Sequence, residues 1–128
     1  MAGQRRRASG ELELDVLRVL WSNDVALTAK EIQEVFAEPV PAYTTILTTL
    51  ERLRAKGDVV RAGEGSRGFR FTAAHSESEH TSRVMLSQLA TSTDRSAALL
   101  KFAGNLDARD VDLLRDALTP RRARRRSD

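Results

Sequence analysis

The sequence predicts a mainly α fold carrying one small β-hairpin, and three observations predict it. Apolar residues recur at helical spacing in six separate stretches. Two of those stretches open on a capping box, Thr28 with Glu31 and Ser76 with Glu79. One Gly-rich turn, Gly63-Glu64-Gly65-Ser66, lies between two short runs of strand formers.

The first helix covers roughly 10–22, where Leu12, Val16, Leu17, Leu20 and Trp21 share a face, and Ser22-Asn23-Asp24 ends it with turn-forming side chains. Thr28 caps a short second helix that buries Ile32, Val35 and Phe36, and Pro39 and Pro41 stop it because neither can donate an amide. The third helix starts at Ala42 or Tyr43 and runs to Lys56, with Gly57 as a left-handed terminator. Ile46, Leu50 and Leu53 form its apolar stripe; Thr44, Thr48, Arg52 and Ala55 lie opposite, with Thr45 beside them. Asp58–Ala62 and Arg67–Phe71 are the strands of the hairpin, with Phe69 and Phe71 turned to the helices, Arg70 turned away and Arg67 at the tip. Residues 76–118 read as three further helices. The second of these is capped within Thr91–Asp94 and broken by Gly104-Asn105; the third is capped by Asp107 and ended by Thr119-Pro120.

Composition narrows the function. Zero cysteines exclude disulfides, thiolate metal sites and thiol catalysis together. No apolar run approaches the ~20 residues of a membrane span, and the basic N-terminus has no apolar segment behind it, so an intracellular, cytoplasmic protein without membrane insertion is expected. The net charge of +3 misleads, because the eight arginines of the two ends outweigh it and leave residues 8–120 at −4. Residues 8–41 hold two basic and seven acidic side chains, residues 42–72 six and three, and residues 73–120 five and seven. Only the middle segment has the positive excess that phosphate recognition needs.

Three helices followed by a two-stranded wing is the winged helix-turn-helix order, and the third helix fits the major groove. A surface helix without a task usually carries Glu and Lys; this one carries small hydroxyls and Arg, which let it sit close against another surface. Thr methyls can meet thymine methyls while the hydroxyls reach bases or phosphates, and Arg52 suits a phosphate or a guanine edge. Arg67 and Arg70 of the wing would lie on the backbone or in the minor groove. The amides at the start of the third helix are open to a phosphate, with the Tyr43 hydroxyl beside them. The expected interface with double-stranded DNA is therefore Tyr43, Thr44, Thr45, Thr48, Arg52, Arg67 and Arg70.

The Leu12-Glu13…Val16-Leu17…Leu20-Trp21 stretch, the run Ala42-Tyr43-Thr44-Thr45-Ile46-Leu47-Thr48…Leu50…Arg52-Leu53…Lys56-Gly57 and the Gly/Arg wing resemble the BlaI/MecI/CopY (penicillinase repressor) family over residues 12–72. The resemblance implies a homodimeric repressor of transcription on an inverted-repeat operator, of TACA/TGTA type in relatives, with C-terminal helices as the dimer interface. Here those helices carry Met85, Leu86, Leu89, Leu99, Phe102, Val111, Leu114 and Leu118, which have no further core within the chain to cover them, so a symmetric partner is expected to do so. The implied organisation is a basic arm (1–9), a winged helix-turn-helix domain (10–73), a helical dimerisation domain (74–120) and a disordered Arg-rich tail (121–128). Relatives are released from DNA by metal binding at C-terminal cysteines or by a membrane sensor protease that cuts an Asn-Phe bond. This chain has no cysteine, and the matching bond is Lys101-Phe102, where Phe is kept and Asn is not.

Other features carry less. Trp21 and Phe36 read as core. Tyr43 also fits a packing residue, and the Arg tails fit either a solvated end or an arm that adds nonspecific DNA affinity. His75 and His80 stand five apart with no Cys or carboxylate cluster, which does not make a metal site. Glu77 and Glu79 read as cap and solvent residues. No nucleophile–base pairing, phosphate-binding loop or dinucleotide fingerprint is present, so no enzyme activity, cofactor or small-molecule ligand is implied. The competing function is a winged-helix module that binds protein rather than DNA.

Overall fold

The computed structural model describes residues 8–64 and 68–120. Residues 1–7 of the expected arm (1–9), Gly65, Ser66 and Arg67 of the expected wing and the expected tail at 121–128 lie outside the described residues. The chain divides into two units, one running to Arg83 and one starting at Val84. The first unit takes in the start of the fourth helix, whose His80 and Arg83 lie against Asp58.

In the first unit, α1 spans Ser9–Trp21, α2 Ala29–Val35 and α3 Tyr43–Ala55. Their terminators act as the side chains dictate. The Ser22 hydroxyl and Asn23 amide donate to the Arg18 and Val19 carbonyls at 2.8 and 2.7 Å. At α2 both halves of the capping box form: Glu31 N–H donates to Thr28 Oγ1 at 3.1 Å, and Thr28 N–H to Glu31 Oε1 at 2.9 Å. At the end of α3, Gly57 adopts φ +82°. Its N–H bonds the Arg54 carbonyl while Asp58 N–H bonds that of Leu53, the paired bonds of a Schellman terminator.

The sheet has three antiparallel strands in the order β1-β3-β2, with β1 at Leu27–Thr28, β2 at Val59–Ala62 and β3 at Arg70–Ala73. The hairpin foreseen in the sequence is its β2–β3 pair, with Val59 opposite Ala73 and Ala62 opposite Arg70. The second strand starts three residues later than its composition suggests, since Gly68 takes φ +83° and keeps the approach to Arg70 out of the ladder. The unforeseen strand, β1, pairs Leu27 with Phe71 and Thr28 with Arg70.

The core draws on each element: Leu12, Val16, Leu17 and Leu20 from α1, Ala29 and Ile32 from α2, Ile46, Leu50 and Leu53 from α3, and Leu27, Val59 and Phe71 from the sheet. Val35 corrects the expected pattern. The backbone turns extended at Phe36, ψ 137°, so Phe36 packs against the core while Val35 stays 59% exposed. Trp21 is partly buried, and its indole N–H donates to the His75 carbonyl at 2.8 Å, which supplies the partner a shielded indole needs.

The fourth helix, α4 (Glu77–Ala90), begins in the first unit and ends in the second, which also holds α5 (Arg95–Gly104) and α6 (Ala108–Leu118). Asp94 and Asp107 cap α5 and α6, accepting from Ala97 N–H at 3.0 Å and Asp110 N–H at 2.8 Å. None of these three helices contains a buried residue.

Candidate nucleic-acid interface

The third helix has the two-sided character its sequence implies. Ile46 and Leu50 are fully buried and Leu53 nearly so, which fixes the rotation of α3 against α1 and α2. The opposite side then presents Thr44, Thr45, Thr48 and Arg52 to solvent. Thr44, Thr48 and Arg52 recur every four residues and so form one line along the helix. The Thr48 hydroxyl donates to the Thr44 carbonyl at 2.9 Å, which holds its rotamer and leaves the oxygen lone pairs as acceptors. Thr49, one residue on, is the buried counterpart, bonded to the Thr45 carbonyl at 2.9 Å. Ala42 precedes α3 without a side-chain cap, so its first amides lack the partner that Thr28 gives α2. Tyr43 stands at that end, 47% exposed.

Folding rearranges the charge of residues 42–72. Glu51 pairs with Arg54 at 3.3 Å and Arg61 at 3.5 Å, Glu13 of α1 with Lys56 at 2.6 Å, and Glu31 of α2 with Arg70 at 3.3 Å. Arg61 also lies over the Phe69 ring, 3.9 Å from its centroid. Of the five described cations in this stretch, Arg52 alone has no carboxylate partner among the described residues. Among the described residues of this unit, Lys30, exposed in the first turn of α2, likewise has no carboxylate partner. Composition did not single it out; its signal is position, since the first helix of a helix-turn-helix crosses the DNA backbone.

Arg70 is the most committed of the expected contacts among the described residues. Its Nη1 donates to the Ala26 carbonyl and to Glu31 Oε1, each at 3.3 Å, so it ties β3 to the turn before α2. The bond from the Thr28 amide, and then the Arg70 charge, hold the Glu31 carboxyl below its ordinary value.

In the second unit Met85, Leu86, Leu99, Phe102, Leu114 and Leu118 are exposed large apolar side chains. Leu89 and Val111 are half-buried. Val111, Leu114 and Leu118 line an open groove of ≈490 Å³ with Ala103 and Leu106. Lys101 and Phe102 are exposed within α5. Among the described residues there is no His/Cys/Asp/Glu grouping able to hold a metal ion, and no helix is long and apolar enough to cross a membrane.

Three packed helices, a small sheet and an exposed polar face on the third helix define a winged-helix protein with a helical appendage. Residues 9–120 match the family model described as penicillinase repressor. The chain belongs to that family, and is accordingly a transcriptional regulator rather than an enzyme. It is 35% identical over 113 residues to the transcriptional regulator BlaI of Mycobacterium tuberculosis, in strains CDC 1551 / Oshkosh and ATCC 25618 / H37Rv, covering 85% of this chain and 81% of each relative. A chain of the Giardia lamblia Hop2-Mnd1 complex aligns with 94% of this chain and 83% of its own at 16% identity and a TM-score of 0.45, a likeness that carries no functional weight.

Proposed function

We propose that this regulator is a cytoplasmic repressor that binds an inverted-repeat DNA operator as a homodimer. The observation that carries the reading is the Thr44–Thr48–Arg52 line, exposed opposite a buried stripe and free of acidic neighbours on the same line. α3 lies in the major groove, where Thr44, Thr45 and Thr48 read base edges and Arg52 takes a phosphate or a guanine edge. Tyr43 and the uncapped amides beside it take a phosphate. Arg67 and Arg70 of the wing meet the backbone, Arg70 by exchanging Glu31 for phosphate.

The apolar side chains of α4–α6 are the dimer interface, and pairing links two weak half-site contacts into one strong one. Release from DNA follows cleavage by a membrane sensor protease between Lys101 and Phe102. Incubation with the activated cognate sensor yields a fragment ending at Lys101, and its absence refutes cleavage there.

The binding test uses duplexes that the full-length chain selects from a random library. Substituting Thr48 and Arg52 together by Ala weakens binding to the selected duplex while circular dichroism stays unchanged; unaltered affinity sinks the recognition face. The internal pairing of four of the five described cations favours the second reading, a module that docks protein. A salt titration separates the two, since duplex binding falls steeply with salt through counterion release.

A further inference from the structure

We propose that Glu51 is a specificity-determining residue of α3 and accepts a hydrogen bond from the amino group of one cytosine in the major groove; this rests on the DNA-binding reading above. Glu51 stands two turns past Thr44, a displacement of only about 20° around the helix. It is also three residues past Thr48, and so its neighbour on the helix surface. It therefore shares the exposed side of Thr44, Thr48 and Arg52, in an adjoining row and opposite the buried Ile46, Leu50 and Leu53. Its side chain is 49% exposed. An anion on that side works against phosphate unless nearby cations offset it and a base donor meets it.

The cations are in place. Arg54 brings Nε and Nη2 each to 3.3 Å from Glu51 Oε1, and Arg61 of β2 brings Nη1 to 3.5 Å from Oε2. Arg61 is itself held, its guanidinium 3.9 Å from the centre of the Phe69 ring, which packs against the core. The carboxylate is thus compensated, and its direction is set from α3 and from the sheet together. An ionised carboxylate offers about four acceptor positions, two on each oxygen. Two nitrogens of Arg54 crowd Oε1, whereas among the described residues Oε2 meets Arg61 alone and keeps an acceptor position open.

That open position names the base. It needs a hydrogen-bond donor, and the donors on the major-groove edges are the amino groups of cytosine and adenine. Adenine sets its N7 acceptor beside the amino group, where it opposes a carboxylate, while cytosine has no acceptor on that edge. Glutamate therefore selects cytosine. Glutamine, with a donor and an acceptor of its own, suits adenine instead.

The test takes full-length wild type, E51A, E51Q and R61A through selection from a random-duplex library. Wild type retains a cytosine at one position that E51A leaves relaxed, with the other positions unchanged. The preference for that cytosine over the other bases falls by about fivefold or more in E51A. E51Q moves the same position toward adenine. R61A takes away one partner, leaves the carboxylate on Arg54 and keeps the cytosine. A duplex with N4-methylcytosine at that position, whose methyl stands where the groove-facing N–H was, binds wild type more weakly and E51A no differently. The wild-type arm of that comparison decides the matter if E51A fails to fold. An E51A pool with the wild-type preference at every position, or wild-type binding indifferent to the methyl group, overturns the proposal. So does an R61A pool relaxed at the same position as that of E51A, which makes the wing the reader. A wild-type pool without any preferred sequence overturns the DNA-binding reading beneath it.

Discussion

Arg52 and Arg70 carry the same charge, and the fold gives them different duties. Arg52 has no carboxylate partner among the described residues, whereas Arg70 is bonded to Glu31 and the Ala26 carbonyl. Neutralising one duplex phosphate contributes about −0.9 to the slope of log K against log salt. With Arg52 on a phosphate, Arg52→Ala flattens that slope by about 0.9 per subunit; with Arg52 on a guanine edge, it relaxes the preferred sequence instead. Arg70→Ala is expected to cost less affinity, because wild type gives up the Glu31 contact when Arg70 turns to phosphate, and to lower the thermal midpoint as the β3–α2 tie is lost. Equal effects of the two variants on binding and none on melting would refute this division. Glu31 makes a second, pH-dependent prediction. Its carboxyl is held below its ordinary value of 4.5 by the Thr28 amide and then by Arg70, so the ionised form is favoured in the fold. The stabilisation is present above 4.5 and is lost as pH falls through the lowered folded value. Glu31→Gln keeps an acceptor for Thr28 and loses the charge. Its melting midpoint should lie below that of wild type at neutral pH, with the gap closing under acid below 4.5.

At the scale of elements, the end of α3 is the most exacting position. Gly57 holds φ +82°, and a Cβ placed there meets nothing within 4 Å, so the penalty for a side chain is conformational rather than steric. Gly57→Ala should cost about 1–2 kcal/mol in urea unfolding, and Gly57→Asn less, since Asn tolerates the left-handed region; equal costs would point to a steric origin. The helices were legible because their signals are local: the Thr28–Glu31 box, the Ile46–Leu50–Leu53 stripe, and the caps at Asp94 and Asp107 act within a turn. β1 was not legible, since Leu27-Thr28 is two residues long and becomes a strand only through Phe71 and Arg70, more than 40 positions on. The exposed Thr44–Thr48–Arg52 face of α3 was legible as residue types at a four-residue period, but its electrostatics were not. Glu13 and Glu31, counted with an acidic first segment, reach across the fold to neutralise Lys56 and Arg70. Among the described residues, the cations of 42–72 left without a carboxylate partner thus shrink to Arg52. Val35 was misplaced for a related reason: a helix of seven residues ends before its pattern can continue, and the following residue takes the core position.

For the whole molecule, the contrast between the two units makes the strongest demand. The first has a core of twelve buried apolar residues, while α4, α5 and α6 contain none that is buried. Ordering a residue costs about 1–2 kcal/mol of backbone entropy, and helices this short are marginal in water without packing. Fully covering one large apolar side chain returns about 1.5–3 kcal/mol. Phe102, Leu114 and Leu118 remain 46%, 43% and 81% exposed, so the second unit gains most of its available stabilisation only when another surface covers it. In the proposed homodimer a second copy presents the same side chains in symmetric array, and its binding makes stability depend on protein concentration. Melting of the full-length chain should therefore show a midpoint that rises with concentration for the C-terminal helices. Leu114→Asp sets a charge beside the groove lined by Leu106, Val111 and Leu118. It should shift the chain to monomer in sedimentation equilibrium and leave the melting of the first unit unchanged. On a single half-site its affinity should match wild type, and on the paired site it should lose the gain from linkage, about 10²-fold or more. A Leu114→Asp chain that stays dimeric, or that loses single-site and paired-site binding equally, would place the subunit contact away from α6.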